Sequence, residues 1–157
     1  MLYNLLRNET EKVIVYVDMD GVIVDFGEIN SDTAQVKDEG FFINKRPIRT
    51  VLKELEKAAE LPNVEIEILS LTRTEAQIKE KNEWLNKYAP FITKRNIFAR
   101  LSFNLESAHI LKQEYLEMEA PKNKKIYLID DDHQVLRHVK YKMNDKVEVL
   151  HVSSIIE

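Results

Sequence analysis

An α/β domain built on a parallel sheet is predicted from three observations. Short apolar, β-branched runs recur along the chain, they alternate with stretches of helical apolar spacing, and two of them end abruptly in carboxylates. Strands alternating with helices imply right-handed crossovers and a sheet covered on both faces. At 157 residues the chain is long enough for one substantial core and too short for two ordinary domains. A single domain over residues 1–157 is therefore expected.

The elements follow in order. Residues 13–17, Val-Ile-Val-Tyr-Val, read as the first strand. Residues 25–39 are polar and irregular, and they place a short cap or flap insertion at about 25–45. Pro47 suits the first position of a helix that carries Ile48, Leu52 and Leu55 at helical spacing. Residues 64–69 form the second strand. Thr72 and Glu75 then make a capping box for a helix with Ile78, Leu85 and Tyr88 on one face. A shorter third strand is read at residues 96–101, followed by a helix bearing Ala108, Leu111, Tyr115 and Met118. Residues 126–129 give the fourth strand, Val135, Leu136 and Val139 mark a helix, and residues 147–152 give the fifth strand. The first dozen residues fit no single element.

The first strand stops at Asp18-Met19-Asp20-Gly21, and the fourth at Asp130-Asp131-Asp132. Carboxylates at the end of a buried strand repel one another and resist desolvation. A divalent cation removes that cost, and hard oxygen ligands of this kind suit Mg²⁺. Two such strands meet in space as parallel neighbours, so the acids point to one metal site at the carboxyl end of the sheet, where open α/β sheets bind ligands.

Composition excludes several alternatives. The net charge of −4 gives no overall field favouring nucleic acid or an acidic membrane surface, although Lys45, Arg46 and Arg49, and Lys94, Arg95 and Arg100, form local basic clusters. Without cysteine there is no disulfide, thiolate nucleophile or cysteine-ligated zinc. No leading basic-plus-apolar segment or membrane-spanning run is present, so a cytoplasmic location and no membrane partner are expected. Three glycines and four prolines leave no low-complexity linker.

Asp18-Met19-Asp20-Gly21, then Ser70 after the second strand, Lys112 on the helix before the fourth, and Asp130-Asp131 stand in one order. In these motifs the chain resembles the haloacid dehalogenase (HAD) superfamily of phosphohydrolases, from about residue 13 to residue 139. Gly40-Phe41-Phe42, Arg46-Pro47-Ile48 and Glu80-Lys81-Asn82-Glu83-Trp84-Leu85 resemble the 5′(3′)-deoxyribonucleotidases. Leu111-Lys112-Gln113-Glu114 and Leu128-Ile129-Asp130-Asp131 are closer to the phosphatase domain of polynucleotide kinase-phosphatases. The resemblance implies a Rossmann-like HAD fold, with strand order five, four, one, two, three and a minimal cap.

It also implies roles. Asp18 would be the nucleophile that forms an aspartyl-phosphate, and Asp20 the general acid and base. Ser70 and Lys112 would hold the phosphoryl oxygens, with Lys94 the other lysine open to that part. Mg²⁺ would be bound by Asp18, Asp130 and the Asp20 backbone carbonyl, and Asp131 would orient metal-bound water. Asp132, where the polynucleotide phosphatases often carry a basic residue, reads as a helix N-cap.

Phe41 and Phe42 either stack on a base or anchor the insertion, while Lys94, Arg95 and the Lys45–Arg46 pair are candidate rim charges. Trp84 reads as packing, and His109, His133, His138 and His151 show no ligand spacing. The expected activity is Mg²⁺-dependent phosphomonoester hydrolysis on a nucleotide, a phosphorylated small molecule. The alternatives are a 3′-phosphorylated nucleic-acid end and, in another class, a non-catalytic binding domain of the same fold.

Overall fold

β1 (Val13–Val17) is buried along its whole length. Its uninterrupted apolar sequence suits the centre of a parallel sheet, where both faces are covered. The structure is a computed structural model and describes residues 1–27, 40–100, 108–123 and 125–156. Around β1 stand α1 (Leu2–Leu6), β2 (Val24–Asp25), β3 (Arg46–Pro47), α2 (Arg49–Ala59), β4 (Val64–Thr72) and α3 (Glu75–Tyr88). They are followed by β5 (Lys94–Ala99), α4 (Ala108–Glu119), β6 (Lys125–Asp130), α5 (His133–Met143) and β7 (Val147–His151).

The five-stranded sheet runs β5-β4-β1-β6-β7, parallel throughout, which is the order the resemblance implies. Side chains alternate across it, as the period of two requires. Val13, Val15, Val17, Ile66, Ile68, Tyr127 and Ile129 face one core with Leu6 of α1, Leu52 and Leu55 of α2, and Trp84 and Leu85 of α3. Ile14, Tyr16, Leu69, Ile126 and Leu128 face the other, with Leu116 of α4 and Val135, Leu136, Val139 and Met143 of α5. Each of these buried side chains contributes roughly 1.5–3 kcal/mol relative to exposure. Among the described residues no helix is long and apolar enough to cross a membrane.

Several boundaries differ from the sequence reading. Pro47 does not start the helix. It pairs with Val24 in a short antiparallel ribbon, β2–β3, and α2 begins two residues later with Ile48 as N-cap. A residue without an N–H is tolerated on an edge strand as well as at a helix start. β4 runs past residue 69 to Thr72 because Leu71 and Thr72 pair with Phe98 and Ala99 of β5. The capping box is accordingly Thr74 with Gln77, whose side chain accepts from the Thr74 backbone N–H at 3.3 Å. β5 starts earlier than expected, at Lys94, and β7 ends at His151. Leu101 and most of the anticipated cap, residues 28–39, lie outside the described residues.

At the amino end of the sheet, the Tyr127 hydroxyl donates to Glu9 Oε1 at 2.7 Å, and Lys125 Nζ pairs with the same oxygen at 2.6 Å. Burial, and then the Glu9 carboxylate, push the Tyr127 phenol up to about 12. Its folded value lies above the unfolded one, so its contribution is fully present below about pH 10 and is lost as pH rises through about 12. Tyr127→Phe should lower the unfolding free energy by about 1 kcal/mol at neutral pH. It should also flatten the alkaline decline in stability, as read by urea titrations between neutral and strongly alkaline pH.

Candidate active site

The register Val17↔Ile129 between β1 and β6 brings the next residues, Asp18 and Asp130, side by side at the carboxyl edge of the sheet. Both are buried, at 8% and 1% exposure. The chain leaves Asp18 in a tight turn in which the Met19 carbonyl accepts the N–H groups of Val22, Ile23 and Val24 at 2.9–3.2 Å. Gly21 adopts φ +75 there, in the left-handed region that favours glycine. A Cβ at Gly21 would also meet Asp131 Oδ2 at 2.0 Å. The glycine after the paired acids thus has two causes, backbone conformation and the approach of a third carboxylate.

Asp18, Asp130 and Asp131 each present an oxygen within 4.8 Å of the others. Lys112, from the first half of α4 and only 5% exposed, sits between two of them, with Nζ 3.0 Å from Asp18 Oδ1 and 2.6 Å from Asp130 Oδ2. Burial opposes the charge on Lys112, but Asp18 and Asp130 outweigh it and hold the ammonium above its ordinary pKa. Burial pushes the Asp130 carboxyl up to about 7, against the pull of Lys112. Burial likewise raises Asp131, with the Asp18 charge adding to it. Asp130 Oδ1 accepts from the Asp132 N–H at 2.9 Å, and Asp132 caps α5 by accepting from the Gln134 N–H at 2.7 Å.

A second buried lysine serves the other acid. Lys81 of α3 has no solvent exposure, and its Nζ donates to Asp20 Oδ2 at 2.6 Å, Ser70 Oγ at 2.9 Å and the Leu71 carbonyl at 3.1 Å. It also lies 4.6 Å from the centre of the Phe42 ring. Burial raises the Asp20 carboxyl, opposed by Lys81 and reinforced by Asp18. Asp20 Oδ1 is buried without a hydrogen-bond partner among the described residues. The sequence alone does not single out Lys81. It lies in a charged helical stretch, and its burial becomes visible only once α3 docks beside the end of β4.

These groups open onto a cleft of about 390 Å³ lined by Asp18, Asp20, Gly21, Phe26, Leu71, Arg100, Lys112, Asp130 and Asp131, among others. Ser70 lies inside β4, wholly buried against Lys81, and does not line the cleft. Lys94 is not brought there either. It pairs with Glu65 and stands 3.8 Å from Glu67. Arg95 donates to Asn86 Oδ1 at 2.7 Å and to the Ile92 carbonyl at 2.9 Å, which pins it against α3.

Phe42 is buried, with its N–H on Glu80 Oε2, and packs edge-on to Phe41 at 5.1 Å. The two rings anchor the segment, while Phe26, 5.6 Å from Phe41, supplies the aromatic wall of the cleft. Lys45 lies 5.4 Å over Phe26 and donates to the Phe26 carbonyl. Trp84 is buried and donates to the Lys45 carbonyl at 2.9 Å.

No protein-family model matches the chain, and no curated protein does. Among solved structures it is similar to the HAD domain of the effector protein Lem4 from Legionella pneumophila. The TM-score is 0.52 at 19% identity, over 89% of this chain and 85% of the other. A variant of that domain, described as an inactive mutant, gives a TM-score of 0.54 at 18% identity over 90% and 85%. At this identity the likeness is one of fold: the chain has the Rossmann-like HAD architecture, a five-stranded parallel sheet flanked by helices.

The Lys81–Asp20 contact can be weighed directly. Lys81→Met should cost on the order of 3 kcal/mol, because a buried carboxylate loses its cation. Adding Asp20→Asn should recover part of the loss, with a coupling of about 1 kcal/mol or more in a double-mutant cycle. Strict additivity in chemical denaturation would show that Lys81 serves Ser70 and Leu71 instead.

Proposed function

We propose that the protein is a Mg²⁺-dependent phosphomonoesterase that works through an aspartyl-phosphate and takes a nucleotide as substrate. The observation that carries this reading is the meeting of Asp18, Asp130 and Asp131 in one cleft, with Lys112 paired to the first two. The donor set fits a hard cation: three clustered carboxylates suit Mg²⁺. Asp18, Asp130 and the Asp20 backbone carbonyl would hold it, with Asp131 a further ligand or the group orienting its water. When bound, the cation would neutralise repulsion between these carboxylates and the substrate phosphate.

The chain's own residues perform the chemistry. Asp18 attacks phosphorus and becomes the acyl phosphate, as the leaving oxygen takes a proton from Asp20. Asp20 then removes a proton from the water that attacks the acyl phosphate, releasing inorganic phosphate and restoring Asp18. Lys112 supplies positive charge beside the nucleophile, where negative charge accumulates on the transferring group. Lys81 fixes one Asp20 oxygen and leaves the other, Oδ1, to exchange the proton. Phe26 and Leu71 give the leaving group an apolar wall, which suits a nucleoside.

Asp18→Asn should remove phosphate release from nucleoside monophosphates to the detection limit while preserving the circular dichroism spectrum. Excess chelator should stop the wild-type enzyme and Mg²⁺ should restore it, with a rise in melting temperature from binding to the folded state. Turnover in excess chelator, or in Asp18→Asn, would overturn the mechanism. Asp20→Asn should slow an alkyl phosphate far more than an aryl phosphate, whose leaving group needs less protonation. Equal losses on the two esters in steady-state assays would remove Asp20 from proton transfer.

A further inference from the structure

Arg100 follows β5, and its N–H continues the ladder by donating to the Thr72 carbonyl at 2.8 Å. Its side chain lines the same cleft as Asp18, Asp20 and Lys112. Nε and Nη1 of its guanidinium are shut off from solvent and have no hydrogen-bond partner among the described residues. Burial works against its charge, the neighbouring Arg73 cation adds to that, and the Asp18 carboxylate opposes both. A guanidinium nevertheless stays protonated in proteins. Buried charged donors left unsatisfied cost several times what an ordinary hydrogen bond contributes, and native structures rarely leave them so. The arrangement has the character of a site for an anion.

The sheet sets the Arg100 backbone away from the acids that would receive the transferred phosphoryl group. β4 lies between β5 and β1 in the sheet. The Arg100 backbone therefore stands two strand spacings, about 10 Å, from β1. It is also on the side away from β6, which carries Asp130. Leu71, on the intervening strand, lines the cleft between them. A planar guanidinium offers paired donors that match two oxygens of one phosphate.

We infer that Arg100 anchors a second-phosphate subsite, so that the substrate carries another phosphate or phosphodiester beyond the phosphoryl group that Asp18 receives. The inference rests on the phosphatase reading for the place of the first phosphate. It selects, within nucleotide chemistry, substrates with two phosphates over simple monophosphates. A free nucleoside bisphosphate and the phosphorylated end of a nucleic acid present the same second group.

The test is calorimetric binding to the Asp18→Asn protein in Mg²⁺. The ligands are a nucleoside 3′-monophosphate, the matching 5′-monophosphate, the 3′,5′-bisphosphate and a 3′-phosphorylated dinucleotide. At least one two-phosphate ligand should bind about tenfold or more tightly than either monophosphate, the scale of a charge-assisted hydrogen bond. Adding Arg100→Gln should remove most of that preference, and Arg100→Lys should keep part of it. Equal affinity for one and two phosphates in the Asp18→Asn protein would overturn the subsite, whatever the Arg100 variants do. The same fold-loss on all ligands in Arg100→Gln would overturn it as well. Tighter binding of the dinucleotide than of the bisphosphate supports the subsite with a nucleic-acid end as its source, and the reverse supports it with a free bisphosphate. Binding needs no turnover. A preserved preference in a wild-type protein that releases no phosphate would sink the phosphatase reading and leave the subsite standing.

Discussion

The constraint on which the structure turns is the repulsion between carboxylates brought together at the end of two buried strands. Asp18 and Asp130 are fixed by the backbone register of β1 and β6, so they cannot move apart without breaking the sheet. Water does not reach them well enough to screen their charges. Lys112 answers by lying between them, and α4 is placed where its one lysine, in the first half of the helix, can do so. The helix layer on that face is thus held by electrostatics at the sheet edge as well as by Leu116 and the α5 side chains beneath it.

The opposite face repeats the solution with different parts. α3 sends Lys81 to Asp20, as α4 sends Lys112 to Asp18 and Asp130. Each layer of helices therefore delivers one buried cation to the acidic turn between them. The two lysines are not equivalent. Lys112 borders the cleft, whereas Lys81 stays behind Asp20 with Ser70 and Phe42 and has no exposure. One ammonium faces the ligand space and the other sets the position of an acid from behind.

Much of the fold was legible because its strands are short, apolar and bounded by acids. β1 and β6 carry runs that suit a sheet centre, and the helix of Val135, Leu136 and Val139 shows its face in the spacing alone. What failed were boundaries with two physical solutions. Pro47 suits a helix start and an edge strand equally, and pairing with Val24 decided between them. Thr72 and Thr74 each head a capping pattern, and the extension of β4 along β5 assigned Thr72 to the sheet. In the site, residues fixed by strand ends were readable, while Lys81, Phe26 and Arg100 depend on long-range packing. Lys94 and Arg95 looked available as charges in sequence, but Glu65 and the α3 amides had already engaged them.

The β2–β3 ribbon has a consequence for how such a protein can change. Val24–Asp25 and Arg46–Pro47 are paired antiparallel, and Ile48 donates its N–H to the Ile23 carbonyl at 2.8 Å. The chain that leaves the acidic turn is clasped to the chain that returns, before either enters the sheet again. Its ends are already together, so lengthening the intervening segment adds only about 0.6 kcal/mol of closure entropy for each doubling. The ribbon works as a socket: inserts of different size can be exchanged there beside the cleft without disturbing the strand register that sets the acids. Specificity and scaffold can then diverge at separate rates.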